Sequence, residues 1–256
     1  MDGVVSVLQK YPGLSVLAFS FIFRLVNRLV QIIPLPRVVE HDDFHSWKWR
    51  NLCVSLLHSL LSGTWAVTCV ILWPEILENI YYYTPLSYIL ICVSTGYFVH
   101  DAGDIVLNGH SKGSWEFLLH HLLVSGCFLY ALYTQRYVAG SVIALIVEVN
   151  SFTLNIRLLL KLIGAQSSML YNMNKILNIF TYICFRLSAQ LHITWSIIQN
   201  ISWLDHSGYF LTIMIIMNTM ILIYFYRLVR SDFFPQNKAY INHSGRHKDN
   251  STKFLN

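Results

Sequence analysis

The sequence has 256 residues, of which 55% are hydrophobic and 12% charged, with a net charge of +5 and a mean hydropathy of +0.48. A soluble domain carries roughly 25% charged residues, so this composition excludes a disordered chain, a coiled coil and an ordinary soluble enzyme. The five cysteines (53, 69, 92, 127 and 184) show no metal-type spacing and all fall in apolar runs. They read as small core residues rather than as a disulfide frame.

A bilayer-crossing helix needs about 20 mostly apolar residues. Seven runs qualify, in chain order 14–33, 52–73, 86–107, 117–134, 137–160, 176–198 and 209–229. Arg24, Asn27, Arg28 and Gln31 interrupt the first at helical spacing, which makes one polar stripe on a helix that still spans. A signal peptide is the competing reading of 14–23, but no small-residue cleavage site follows, so a retained helix is expected. With seven crossings, one side holds thirteen lysines and arginines, against only Lys10 and Arg136 on the other. The positive-inside rule then puts the C-terminus in the cytosol and the N-terminus outside. The expected fold is all-α, a polytopic membrane bundle of about seven transmembrane helices. Residues 1–40 form an N-terminal segment with the first helix, 41–233 a domain of six helices, and 234–256 a disordered cytosolic tail. The basic bias explains the net charge without nucleic acid. Asn200-Ile201-Ser202 is a glycosylation sequon on the outer side, close to a helix end.

An ionisable group in hydrocarbon costs roughly 2.5–3.5 kcal/mol on insertion scales, so each one asks for a partner, a cavity or a task. From the run boundaries, His58 stands about 9 Å inside the second helix, and His120 and His121 about 5–6 Å inside the fourth. His100, Asp101 and Asp104 fall in the last eight residues of the third. Three helices are thus expected to deliver histidine or aspartate to one layer in the cytosolic half. Tyr97, His100, Asp101, Asp104 and Asn108 share a helix face, and Ser55, His58, Ser59, Ser62, Gly63 and Ala66 form a small, polar stripe that should face the bundle. His120 and His121 point roughly 100° apart, so one is expected to face the cavity and the other a neighbour. Glu148 and Arg186 fall near the middle of consecutive helices and are expected to form a structural ion pair, extended by Ser151, Asn155 and Gln190.

Two readings of the layer stand side by side. In one, His120 or His121 is a general base or acyl acceptor oriented by Asp101 or Asp104, with His58, His100 and Tyr97 holding a lipid. In the other, the layer is a satisfied polar network that locks helices together. His100 and Asp104 share a face as metal ligands do, but the histidine-rich signatures of membrane iron enzymes are missing. No metal and no cofactor are expected.

Gly96-Tyr97-Phe98-Val99-His100-Asp101 and Trp115-Glu116-Phe117-Leu118-Leu119-His120-His121, with Arg186-Leu187, resemble the TLC (TRAM–LAG1–CLN8) domain. The resemblance covers about residues 41–233. It is closer to the subfamily of TLC domain-containing proteins 1 and 2, through 47–51, His58-Ser59, 96–104, Glu148-Val149, 172–175 and 230–233. Ceramide synthases of the family pair a double histidine with His-Asp-x-x-Asp on the following helix. Here that helix carries Glu148, Asn150, Ser151 and Leu154, and the His-Asp-x-x-Asp run stands at 100–104 on the preceding one. The subfamily resemblance implies a regulator of membrane phospholipid acyl composition and fluidity that limits polyunsaturated species, at the plasma membrane, with the endoplasmic reticulum as alternative. The expected ligand is a lipid or acyl chain in a cavity of the inner half, bound without catalysis. The alternatives are an acyltransferase that takes acyl-CoA as substrate and an accessory subunit of a channel or transporter. Expected partners are membrane phospholipids or acyl chains, and a membrane acyltransferase or channel.

Overall fold

The computed structural model describes residues 2–111 and 113–233, so the tail at 234–256 lies outside the described residues. The helices are α1 (Asp2–Lys10), α2 (Pro12–Ile32), α3 (Arg37–Glu40), α4 (Asp43–Leu72), α5 (Glu75–Glu78), α6 (Pro85–Leu107), α7 (Trp115–Thr134), α8 (Val138–Leu145), α9 (Glu148–Leu162), α10 (Met169–Thr181), α11 (Ser188–Gln199) and α12 (Ser207–Phe233). Residues 1–218 form one unit, holding α1 to α11 and the first part of α12; the described part of the second, 219–256, is the rest of α12.

Local chemistry sets the helix starts. Pro12 and Pro85 occupy the first turns of α2 and α6, where a missing N–H costs nothing. Thr84 caps α6 by accepting the Ser87 N–H at 3.1 Å, and Ser168 caps α10 through the Tyr171 N–H at 3.1 Å. Asp42 caps α4, accepting from His45 and from the Phe44 N–H, and these two bonds hold its carboxyl below the usual carboxylate range.

Among the described residues, seven helical stretches are long and apolar enough to cross a membrane, namely Pro12–Ile32, Asp43–Leu72, Pro85–Leu107, Trp115–Thr134, Val138–Leu162, Met169–Gln199 and Ser207–Asp232. They match the seven apolar runs, with two differences. The second span begins at Asp43, nine residues before its apolar run. The fifth and sixth are not regular: α8 and α9 meet at a break over Ile146 and Val147, and α10 and α11 are joined by a π segment, Tyr182–Leu187. Both irregularities fall beside a charge, just before Glu148 in the first case and around Arg186 in the second.

The first three spans alternate in direction. Asn27 reaches Asp104 at 3.2 Å while Gly96 touches Phe19 and Ser20, so α2 and α6 run parallel. Trp47 reaches Asp104 and Asn51 reaches Asp101, so α4 is antiparallel to α6. The predicted small stripe of α4 faces inward, with His58, Ser59, Ser62, Gly63 and Ala66 all buried. At Gly63 a Cβ would stand 2.9 Å from the Val149 nitrogen. Only glycine lets α4 come this close to the start of α9.

A buried amide network holds α9 to α10. Asn150 Nδ2 donates to the Asn178 carbonyl and Oδ1, both at 3.0 Å, and to Thr181 Oγ1 at 3.1 Å; Thr153 joins it, and Asn174 Nδ2 closes on the Thr153 carbonyl at 2.9 Å. Asn150 is fully buried, so Asn150→Ala strands several of these groups. A loss of about 1–3 kcal/mol is expected, read as a lower thermal midpoint of the detergent-purified protein.

Candidate functional site

The site begins as a seam between α4 and α6. At the end of the bundle where α4 starts and α6 stops, Asp104 accepts from Trp47 Nε1 at 2.8 Å and from Asn27 and Asn108, each at 3.2 Å. One turn further along α6, Asp101 accepts from Asn51 Nδ2 at 2.6 Å, and His121 Nδ1 stands 3.2 Å from its other oxygen. A turn further again, His58 stacks on Tyr97 with ring centroids 3.8 Å apart and 11° between planes, its edges covered by Phe23 and Phe98. Its Nδ1 lies 4.0 Å from Glu148 Oε2. His58 is fully buried, and neither ring nitrogen has a hydrogen-bond partner among the described residues.

Glu148 and Arg186 are brought to the same serine rather than into direct contact. Arg186 Nη2 donates to Ser151 Oγ at 2.8 Å, and Glu148, which also bonds Ser151, feels the guanidinium through space. Asn155, expected beside them, turns instead to Ser55 at 3.0 Å and Ser59 at 3.4 Å, while Gln190 donates to the Met214 sulfur at 3.7 Å. The double histidine diverges. His121 is buried against Asp101, whereas His120, with its ring centroid 5.6 Å from that of His121, is half-buried on the side of Arg186.

Two placements differ from the sequence expectation. His58 was expected in one layer with His100, Asp101 and Asp104, but α4 starts at Asp43, so His58 is its sixteenth residue and sits mid-helix beside Tyr97 and Glu148. His100 does not join the chamber. It lies half-buried and level with Arg24 of α2 in the α2–α6 register, because Tyr97, Asp101 and Asp104 already fill the face of α6 that meets α4.

Beyond the polar residues opens an apolar cavity of about 90 Å³. Val124 of α7, Ala144 of α8 and Gln190 of α11 line it. These residues stand four positions in sequence from His120, Glu148 and Arg186, so on three separate spans the cavity starts four residues past the polar cluster. It lies in the half of the bundle away from Asp104, not in the half where the sequence led us to expect it. The far end closes on Tyr137, whose backbone is left-handed (φ 61°) and whose hydroxyl donates to the Asp205 carbonyl at 2.5 Å and accepts from Tyr81 at 3.3 Å. An Arg136–Asp205 ion pair backs this closure.

Sequence reasoning about the site missed Trp47 and Asn51 because they precede the apolar run. The spacing carried the signal: 47, 51, 55 and 58 continue the polar stripe of α4 upstream by helical steps. The π segment had no such signal. It adds one residue to a turn and so sets the direction of Arg186.

Seven span-length helical stretches among the described residues, with a polar seam that leads into an apolar cavity, define a multi-pass helical membrane protein. The TLC domain family matches residues 48–230, which is most of the described bundle, and the chain belongs to that family. It is 38% identical to TLC domain-containing protein 1 of Homo sapiens over 247 residues, 96% of this chain and 97% of the relative. The same protein of Rattus norvegicus is 39% identical over 221 residues, 86% of this chain and 90% of the relative. TLC domain-containing protein 2 of Danio rerio is 36% identical over 214 residues, 82% and 86% respectively.

Proposed function

We propose that the protein regulates the acyl composition of membrane phospholipids, and through it membrane fluidity, by taking an acyl chain into the apolar cavity with the polar part of that lipid against His58, Ser151, Glu148, Arg186 and His120. The observation that carries this reading is the four-residue offset between cluster and cavity on three spans, which gives the interior the polar-then-apolar order of a lipid. His58 supports it, since a buried imidazole with two unbonded nitrogens is costly unless something hydrogen-bonds to it. The plasma membrane is the proposed location, with the cytosol at the Asp104 end, as the basic bias of the connections requires.

Filling the cavity tests the reading. Ala144→Phe and Gly140→Phe, read in cells by the acyl profile of total phospholipid, should abolish the protein's effect on that profile. An unchanged effect from a correctly folded variant would overturn the reading.

One contact favours a second reading. His121 and Asp101, both buried, come within 3.2 Å without forming a hydrogen bond, near enough for a base and a carboxylate that a small rotation would align, as an acyltransferase would need. Purified protein that moves an acyl group from a thioester to a lipid acceptor, and loses that activity in His121→Ala, would establish it.

A further inference from the structure

A separate binding site stands on the outside of the bundle, on α2. Leu14, Leu17, Phe21, Arg24, Arg28 and Gln31 follow one another at spacings of 3, 4, 3, 4 and 3 residues, so they form a single stripe, and all six are exposed. The first three are apolar, with 66%, 62% and 60% of their surface open. The last three are cationic or polar. Arg24 is the thirteenth residue of the 21-residue helix, eight residues and about 12 Å from its end. A lipid-facing arginine at that depth is costly and calls for an anion.

Among the described residues neither Arg24 nor Arg28 has an ion pair or hydrogen bond. Asp104, the nearest acid in register, is committed to Asn27, Trp47 and Asn108. The residue of α6 level with Arg24 is His100, since Phe19 meets Gly96 and Asn27 meets Asp104 in the same register; it is half-buried and, among the described residues, without a hydrogen bond. Two like charges four residues apart on a helix repel, and a shared anion between them removes that repulsion.

We propose that Arg24 and Arg28, with Gln31 and His100, bind the phosphate of an anionic phospholipid whose acyl chain lies along Phe21, Leu17 and Leu14. The order along the stripe, apolar and then cationic, is that of such a lipid standing beside the helix. The end of α2 that bears the cations is also the end which the basic bias of the sequence assigns to the cytosol, where anionic phospholipids are enriched. This site is independent of the interior cavity.

The test uses the full chain in nanodiscs of phosphatidylcholine, with and without added phosphatidylserine. Thermal midpoint and retained lipid, the latter by native mass spectrometry, are the two readouts. The wild type should retain one phosphatidylserine and gain in midpoint when it is added. Arg24→Gln with Arg28→Gln should lose retention at least tenfold and lose the gain, while remaining as stable as wild type in phosphatidylcholine alone. Arg24→Lys with Arg28→Lys keeps the charge and should keep the midpoint gain. Equal retention by wild type and the double glutamine variant would overturn the proposal. So would a wild-type dimer that the glutamine variant converts to monomer, since the anion would then be a carboxylate of a second copy.

Discussion

Gly96→Val is expected to cost about 3 kcal/mol or more, and little of the protein should be recovered as a monodisperse species from detergent. A Cβ at this position would stand 2.5 Å from Phe19 Cβ and 2.9 Å from the Ser20 nitrogen. The obstacle is largely the backbone of α2, which cannot rotate aside as a side chain does, so the cost falls at the upper end of overpacking effects. Separating α2 from α6 also withdraws Phe23 from Tyr97 and His58, and Asn27 from Asp104. Gly63→Ala should be milder but should bear on the site, because the added methyl meets the Glu148–Val149 peptide at 2.9–3.1 Å. Gly103→Ala is the control. Nothing lies within 4 Å of a Cβ there, and alanine is the better helix former by roughly 0.5–1 kcal/mol. Thermal midpoints of the three variants should rank in that order. A Gly96→Val protein as stable as Gly103→Ala would contradict the close approach of α2 to α6.

How much of this arrangement the sequence discloses depends on the physical signal each part carries. The seven spans are legible because hydrocarbon demands length and apolarity together, and the buried stripe of α4 is legible because close helix approach demands small residues. Asp101, His121 and Tyr97 can be gathered from helical spacing, since they fall on faces that point inward. Depth is less secure. The apolar run at 52–73 conceals nine preceding helical residues, so His58 lies further from its helix start than the run suggests. Tertiary choices are not legible at all. Whether Arg186 meets Glu148 directly or through Ser151 is decided by the π segment and by the break before Glu148, and neither irregularity follows from composition or periodicity. The cavity is equally hidden, because it is a space between residues such as Val124, Ala144 and Ile193 that any packed core would contain.

The charged centre yields the second large effect, and its sign differs between residues. Arg186→Gln leaves Glu148 buried at 8% exposure without the cation that faces it across Ser151, and should cost about 3–5 kcal/mol, as the loss of one partner of a buried pair does. Adding Glu148→Gln removes the stranded charge and should restore at least about 1 kcal/mol, a coupling that a double-mutant cycle on thermal midpoints reads directly. If Ser151 carries the interaction, the same cycle on a Ser151→Ala background should show most of that coupling gone. Additive losses in the first cycle would mean that the two charges do not sense one another. His58→Phe should behave in the opposite way. The phenyl ring keeps the stack on Tyr97 and needs no hydrogen bond, whereas the imidazole has two nitrogens that find none among the described residues. The midpoint should therefore hold or rise, while the effect on phospholipid acyl profile falls. A gain in stability with a loss of function marks a residue kept for what it binds rather than for what it holds together. A His58→Phe protein that loses stability and keeps its lipid effect would place His58 in the core instead.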